Sequence, residues 1–136
     1  MEFFKQNVLL IGLAIGSGIA LILPLLSRSA AGVTVLSVTE AVMLMSRKSA
    51  LVLDVREPDE FAQGHLQGAR NIPLSQLDAR LKELEKYREK PVMVVCERGG
   101  RATKAAKLLK AQQFTALHVL KGGMQAWLEA KMPTGK

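Results

Sequence analysis

The chain has 136 residues, with 19 basic and 12 acidic side chains for a net charge of +7, and 49% of it is hydrophobic. That length admits one compact domain, and a single cysteine excludes an internal disulfide and a multi-cysteine metal site. Aromatic content of 4% without a recognised binding motif argues against a nucleic-acid partner despite the positive charge.

The apolar residues are concentrated at the N-terminus. Asn7 to Leu26 holds no charge over 20 positions, enough for a helix to cross a hydrocarbon core about 30 Å thick. This predicts a single-pass membrane anchor over residues 7–26, an anchor and linker over 1–31, and a domain over 32–136. A cleaved signal peptide is the rival, because Ser29-Ala30-Ala31 offers small residues before Gly32; cleavage near Ala31 would leave a periplasmic domain. Lys5 and the α-amino group precede the segment, and Arg28, Arg47 and Lys48 follow it. That balance favours a cytoplasmic C-terminal domain at the cell membrane. Gly12 and Gly16 form a GxxxG, with Ala20 one step further, a spacing at which two such helices pair into a homodimer.

From Val33 onward, short β-branched runs alternate with helical patterns, which predicts an α/β domain on a mainly parallel sheet flanked by helices. A first strand is expected at Val35 to Val38, followed by an amphipathic helix to about Arg47 with Thr39 as N-cap. Leu51 to Val55 is the near-continuous apolar run of a strand covered on both faces, interrupted by Asp54. A short helix around Asp59 to Gln63 and a brief extended piece at Ala69 to Ile72 come next. Ser75 to about Glu89 predicts the strongest helix, with Ser75 and Asp78 in capping-box spacing and Leu77, Leu81 and Leu84 on one face. Pro91 is expected to end it, before the most apolar strand, Val92 to Val95. A helix from about Gly100 to Gln113, a strand from Ala116 to Leu120 and a helix from about Met124 to Ala130 complete the pattern.

Charge is unevenly arranged along this domain, where 17 basic residues stand against 11 acidic ones. Lys82, Lys86, Arg88 and Lys90 alternate with Glu83, Glu85 and Glu89, as on a solvated helix face. Lys104, Lys107 and Lys110 instead follow the arginine-bearing loop at helical spacing, a face that attracts anionic substrates or lipid headgroups.

Cys96 stands immediately after the most apolar strand, where parallel α/β sheets place their ligand sites. The next residues, Glu97-Arg98-Gly99-Gly100-Arg101, contain adjacent glycines that turn successive N–H groups toward one point. That nest, the positive end of the following helix, and the guanidinium groups of Arg98 and Arg101 favour an anion and a thiolate nucleophile. A free cysteine at a strand end is commonly a small buried hydrophobe, but packing alone needs neither the glycines nor the arginines.

This loop resembles that of the rhodanese family, together with LDVREPDEFAQGHLQGARNIP (Leu53 to Pro73) and KGGMQAW (Lys121 to Trp127); the match covers nearly all of Val35 to Pro133. The resemblance implies a sulfurtransferase in which Cys96 takes sulfane sulfur from a donor such as thiosulfate and passes it from a persulfide to a thiol or cyanide-like acceptor, or to a protein sulfur carrier. It implies that backbone N–H groups of Arg98, Gly99, Gly100 and Arg101 cradle the terminal sulfur beside Glu97, and that Arg98 and Arg101 orient the donor. No cofactor and no metal are implied. Cys96 to Arg101 is a Cys-x4-Arg pattern, whereas phosphatases of similar fold use a wider Cys-x5-Arg loop. A phosphatase or arsenate reductase also wants a general acid, a part open only to Asp59 or Glu97.

Asp54 is expected to hold a loop as a hydrogen-bond acceptor, with Arg56 supporting the site. Arg56 and Glu60 are read as members of structural ion pairs. His65 matches a structural position of the family rather than a base for Cys96, His118 reads as packing, and Trp127 as the cover of the last helix. The other functional class compatible with the residues is a membrane-tethered binding module in which the thiol is incidental.

Overall fold

The computed structural model describes residues 33–135 except Lys48. The anchor expected over residues 7–26, with Gly12 and Gly16, and the cleavage pattern at 29–31 lie outside the described residues. Among the described residues no helix is long and apolar enough to cross a membrane.

Five parallel strands form one sheet in the order β1-β5-β4-β2-β3: β1 Val33–Leu36, β2 Leu51–Asp54, β3 Arg70–Asn71, β4 Pro91–Val95 and β5 Ala116–Leu120. Side chains alternate across the sheet with a period of two, so its central strands feed two cores. Leu53, Val55, Val92, Val94, Leu117 and Val119 join one, closed by Ala102, Ala105, Ala106 and Leu109 of α4 (Gly100–Ala111) and by Leu77 and Leu84. Val52, Met93, Val95, Leu36 and Leu120 join the other. It is closed by Ala41 and Leu44 of α1 (Val38–Met45) and by Met124 and Trp127 of α5 (Gly123–Glu129). Burial on both faces explains why β2 and β4 are continuous apolar runs rather than alternating ones.

Three features differ from expectation for identifiable reasons. The first helix is capped by Ser37, not Thr39: the Ser37 hydroxyl accepts from the Glu40 N–H at 3.2 Å, and Glu40 Oε1 accepts from the Ser37 N–H at 3.3 Å. This reciprocal pair ends β1 at Leu36 instead of Val38. The single helix expected over Ser75 to Glu89 is instead a four-residue α3, Leu74–Leu77, followed by a 3-10 helix over Leu81–Tyr87. Pro73 stands at the cap without a side-chain hydrogen bond, so the Ser75/Asp78 box does not form. Arg80, at φ −111° and ψ 16°, breaks the helical path. Leu81 and Leu84, three apart, then eclipse on one 3-10 face, which keeps Leu84 in the core. Pro91 does not stop a helix but opens β4, a strand position compatible with its missing N–H. α2, Pro58–Ala62, is the short helix expected after β2.

Register aligns Asp54 of β2 with Val95 of β4 on one side and with Asn71 of β3 on the other. The residues following β2, β3 and β4 therefore emerge side by side at one edge of the sheet, which places Arg56, Pro73 and Cys96 in neighbouring loops. Leu53, 0% exposed at the centre of β2, anchors that edge from below. Leu53→Ala is expected to cost about 2–5 kcal/mol of stability, read as a lower midpoint in urea unfolding.

Candidate active site

Cys96 follows β4 directly, is 1% exposed, and accepts a hydrogen bond at its Sγ from the Gly99 N–H at 2.9 Å. Gly99 makes this possible with φ +117°, a conformation that side chains disfavour; it also serves as the cap residue of α4. The N–H groups of Gly100 and Arg101 begin that 12-residue helix and have no carbonyl one turn before them. The sulfur thus sits in a turn whose amides lead into the positive end of a helix.

The loop is held from behind by the last helix. Met124 N–H donates to the Cys96 carbonyl at 2.8 Å, and Gln125 N–H donates to the Glu97 carbonyl at 3.0 Å. Gly122 (φ +74°) and Gly123 (φ +57°) bring the start of α5 this close. A Cβ at Gly123 would run into the Cys96 carbonyl oxygen and lie 2.7 Å from that of Glu97. The glycines of Lys121-Gly122-Gly123 are therefore part of the site's construction, a role that residue patterning left unassigned.

A buried charge cluster fixes the adjoining loops. Arg56 makes a bidentate pair with Asp54, with Nε and Nη2 at 3.0 and 2.8 Å from its oxygens. It also donates to the Gly64 carbonyl at 2.8 Å and reaches Glu97 Oε2 at 3.4 Å. Asp54 further accepts from the Arg56 N–H at 3.0 Å. Asn71 donates to the carbonyls of Asp54 and Arg56 at 3.0 and 2.9 Å. Burial pushes the Arg56 guanidinium down, but hydrogen bonding and attraction from Asp54, with Glu97 adding, outweigh it and leave its pKa raised.

Arg101 is committed to a partner. Its two terminal nitrogens bind the Glu60 carboxylate at 2.7 and 2.9 Å, an ion pair that sets Glu60 beside the helix following the cysteine loop. The Arg101 hydrogen bonds hold the Glu60 carboxyl at about 2, well below the ordinary range, and Glu60 in turn raises Arg101. Arg98 is exposed. A cleft of about 180 Å³ lies alongside, lined by Arg56, Glu60, Gly64, Glu97, Met124 and Leu128.

The histidines take no part in this geometry. His65 donates from Nδ1 to the Phe61 carbonyl at 2.9 Å, stacks on the Phe61 ring, and pairs its backbone with Gly135. His118 lies in β5 with its pKa lowered by burial and then by Arg47. Trp127 is buried and donates to the Pro133 carbonyl at 2.9 Å, which fastens the C-terminal tail over the second core.

The family model for the rhodanese-like domain matches residues 37–130. The chain belongs to the rhodanese-like family. It is similar to uncharacterized protein YqhL of Bacillus subtilis, 42% identical over 91 residues that cover 67% of this chain and 71% of the relative. It is also similar to thiosulfate sulfurtransferase GlpE of Shewanella oneidensis, 34% identical over 95 residues that cover 70% of this chain and 92% of that one. A rhodanese-related protein from Thermoplasma volcanium superposes with a TM-score of 0.68 at 31% identity, covering 75% of this chain and 97% of that structure. The α/β architecture and the parallel sheet are thus those of a rhodanese-like domain.

The Glu60–Arg101 pair gives this rhodanese-like domain a measurable pH dependence. The folded pKa of Glu60 lies at about 2 against an ordinary 4.5, so the pair stabilises above the unfolded pKa and loses that contribution as pH falls toward the folded one. With side chains 33% and 36% exposed, screening reduces the effect to about 1 kcal/mol. The stability difference between wild type and Glu60→Gln, measured by urea unfolding from pH 7 to 2, is expected to shrink steadily below about pH 5 and to vanish near the lower end.

Proposed function

We propose that the domain is a sulfurtransferase that carries sulfane sulfur as a persulfide on Cys96. The observation that supports this most directly is the 2.9 Å hydrogen bond from the Gly99 N–H to Cys96 Sγ, on a loop only four residues long between Cys96 and Arg101. Membership in the rhodanese-like family and similarity to relatives named thiosulfate sulfurtransferase point the same way. In the first step the Cys96 thiolate attacks the outer sulfur of thiosulfate; the S–S bond breaks and sulfite leaves with its electron pair. The new sulfur, about 2 Å beyond Sγ, extends toward the N–H groups of Gly99, Gly100 and Arg101, which stabilise its negative charge as preorganised dipoles. Glu60 positions Arg101 beside the loop, and exposed Arg98 attracts the donor's charge. In the second step an acceptor nucleophile takes the outer sulfur and the Cys96 thiolate is restored.

Full-length protein treated with thiosulfate is expected to gain about 32 Da at Cys96 by mass spectrometry, as persulfidation adds one sulfur, and to lose it on exposure to cyanide. The Cys96→Ser protein gains nothing and transfers nothing. Sulfur transfer that survives Cys96→Ser sinks the proposal.

The finer reading places this chemistry at the cell membrane. Residues 7–26 form the tether, the domain faces the cytoplasm, and Gly12 and Gly16 pair two tethers in a homodimer. In sealed inside-out vesicles, added protease is expected to remove the domain, with protection in right-side-out vesicles; the reverse pattern assigns the domain to the opposite side.

A further inference from the structure

The reactive loop opens onto a helix face whose charges are not balanced locally. α4 has no acidic residue. Its inner face, Ala102, Ala105, Ala106 and Leu109, is buried in the core, which turns Lys104 and Lys107, three apart and exposed, to the outside. Arg98, two residues after Cys96 and two before the start of α4, is exposed as well. Elsewhere Arg56, Arg80, Arg88 and Arg101 each pair with a carboxylate. Among the described residues, Arg98, Lys104 and Lys107 have no hydrogen-bond or ion-pair partner. An unneutralised set of cations that begins on the cysteine loop and runs along the helix after it raises the local concentration of anionic partners.

Two kinds of macromolecular anion fit such charge, and the surroundings favour one. A helix that lies on a bilayer inserts large apolar side chains beside its cations, but the exposed large hydrophobics of the described residues, Val35, Val42, Met43 and Leu128, all lie off α4. We infer that Arg98, Lys104 and Lys107 form the docking strip for an acidic protein thiol that collects the sulfur from Cys96. This rests on the sulfurtransferase reading: with a single cysteine in the chain, the persulfide is discharged by a second molecule. The acceptor thiolate attacks the outer sulfur, the Cys96 S–S bond breaks, its electron pair returns to Cys96 as thiolate, and the acceptor departs as the persulfide. No oxidant is consumed.

Binding and turnover are measured separately. A fluorescent peptide with glutamates flanking a serine is titrated against the full chain carrying Cys96→Ser, beside a control peptide with glutamines. The acidic peptide is expected to bind about tenfold tighter at low ionic strength. The advantage disappears in about 0.5 M salt and in the double variant Lys104→Glu/Lys107→Glu. Equal binding of the two peptides, or an advantage that survives the charge reversal, overturns the inference. In turnover, thiosulfate-loaded wild type is expected to sulfurate the acidic cysteine peptide about tenfold faster than the neutral one, while 2-mercaptoethanol discharges wild type and double variant equally. Selective binding with no sulfur moved supports the docking strip and overturns the sulfurtransferase reading instead. In lipid nanodiscs, Lys104 and Lys107 are expected to react equally with an amine reagent whether the lipid is anionic or zwitterionic. Protection confined to anionic discs assigns the strip to a bilayer and overturns protein docking.

Discussion

The site depends above all on the buried guanidinium of Arg56. One planar group joins the end of β2 through Asp54, the turn after α2 through the Gly64 carbonyl, and the cysteine loop through Glu97. Deleting one member of such a cluster leaves an uncompensated buried charge, at a cost of about 3–5 kcal/mol, whereas the intact cluster adds little net stability. Its value is geometric. The three loops share hydrogen bonds whose directions are set by a fork with fixed angles. Asn71 extends the same device by bridging two successive carbonyls of the Asp54–Arg56 turn.

Much of this architecture was legible in the residues. Parallel strands buried on both faces announce themselves as unbroken apolar runs, and the position of Cys96 after the most apolar of them places the thiol at the edge of the sheet where the loops after β2, β3 and β4 emerge. Asp54 was legible too, as the one polar residue at the end of such a run. Pairwise partners were harder, because they join positions far apart in sequence: nothing local to Arg101 selects Glu60, 41 residues away. Helical periodicity also misled across Ser75 to Glu89, where leucines at 77, 81 and 84 satisfy both one α-helix and a short turn followed by a 3-10 segment. Tertiary packing, not propensity, decides between those readings. The Ser37 cap shows the same limit at smaller scale, since Thr39 is an equally good cap residue until Glu40 is seen to reach back.

Commitment of Arg101 to Glu60 changes how charge is distributed around the thiol. An arginine paired on two nitrogens presents less net charge to a substrate than a free one, and the Asp54–Arg56 pair is likewise self-compensated. What remains uncompensated beside the thiol is chiefly the array of backbone dipoles on the Gly99–Gly100 turn. Dipoles fixed in a folded loop need no reorganisation when charge arrives.

The contact between α5 and the cysteine loop orders events in time as well as in space. The carbonyls of Cys96 and Glu97 find their donors on Met124 and Gln125, about 30 residues downstream, and ribosomes add roughly 5–20 residues per second. A nascent chain therefore exposes its cysteine strand for seconds before the segment that completes the loop has left the exit tunnel. During that interval the carbonyls of Cys96 and Glu97 lack these donors, and the loop's full set of hydrogen bonds arises only when the final helix docks.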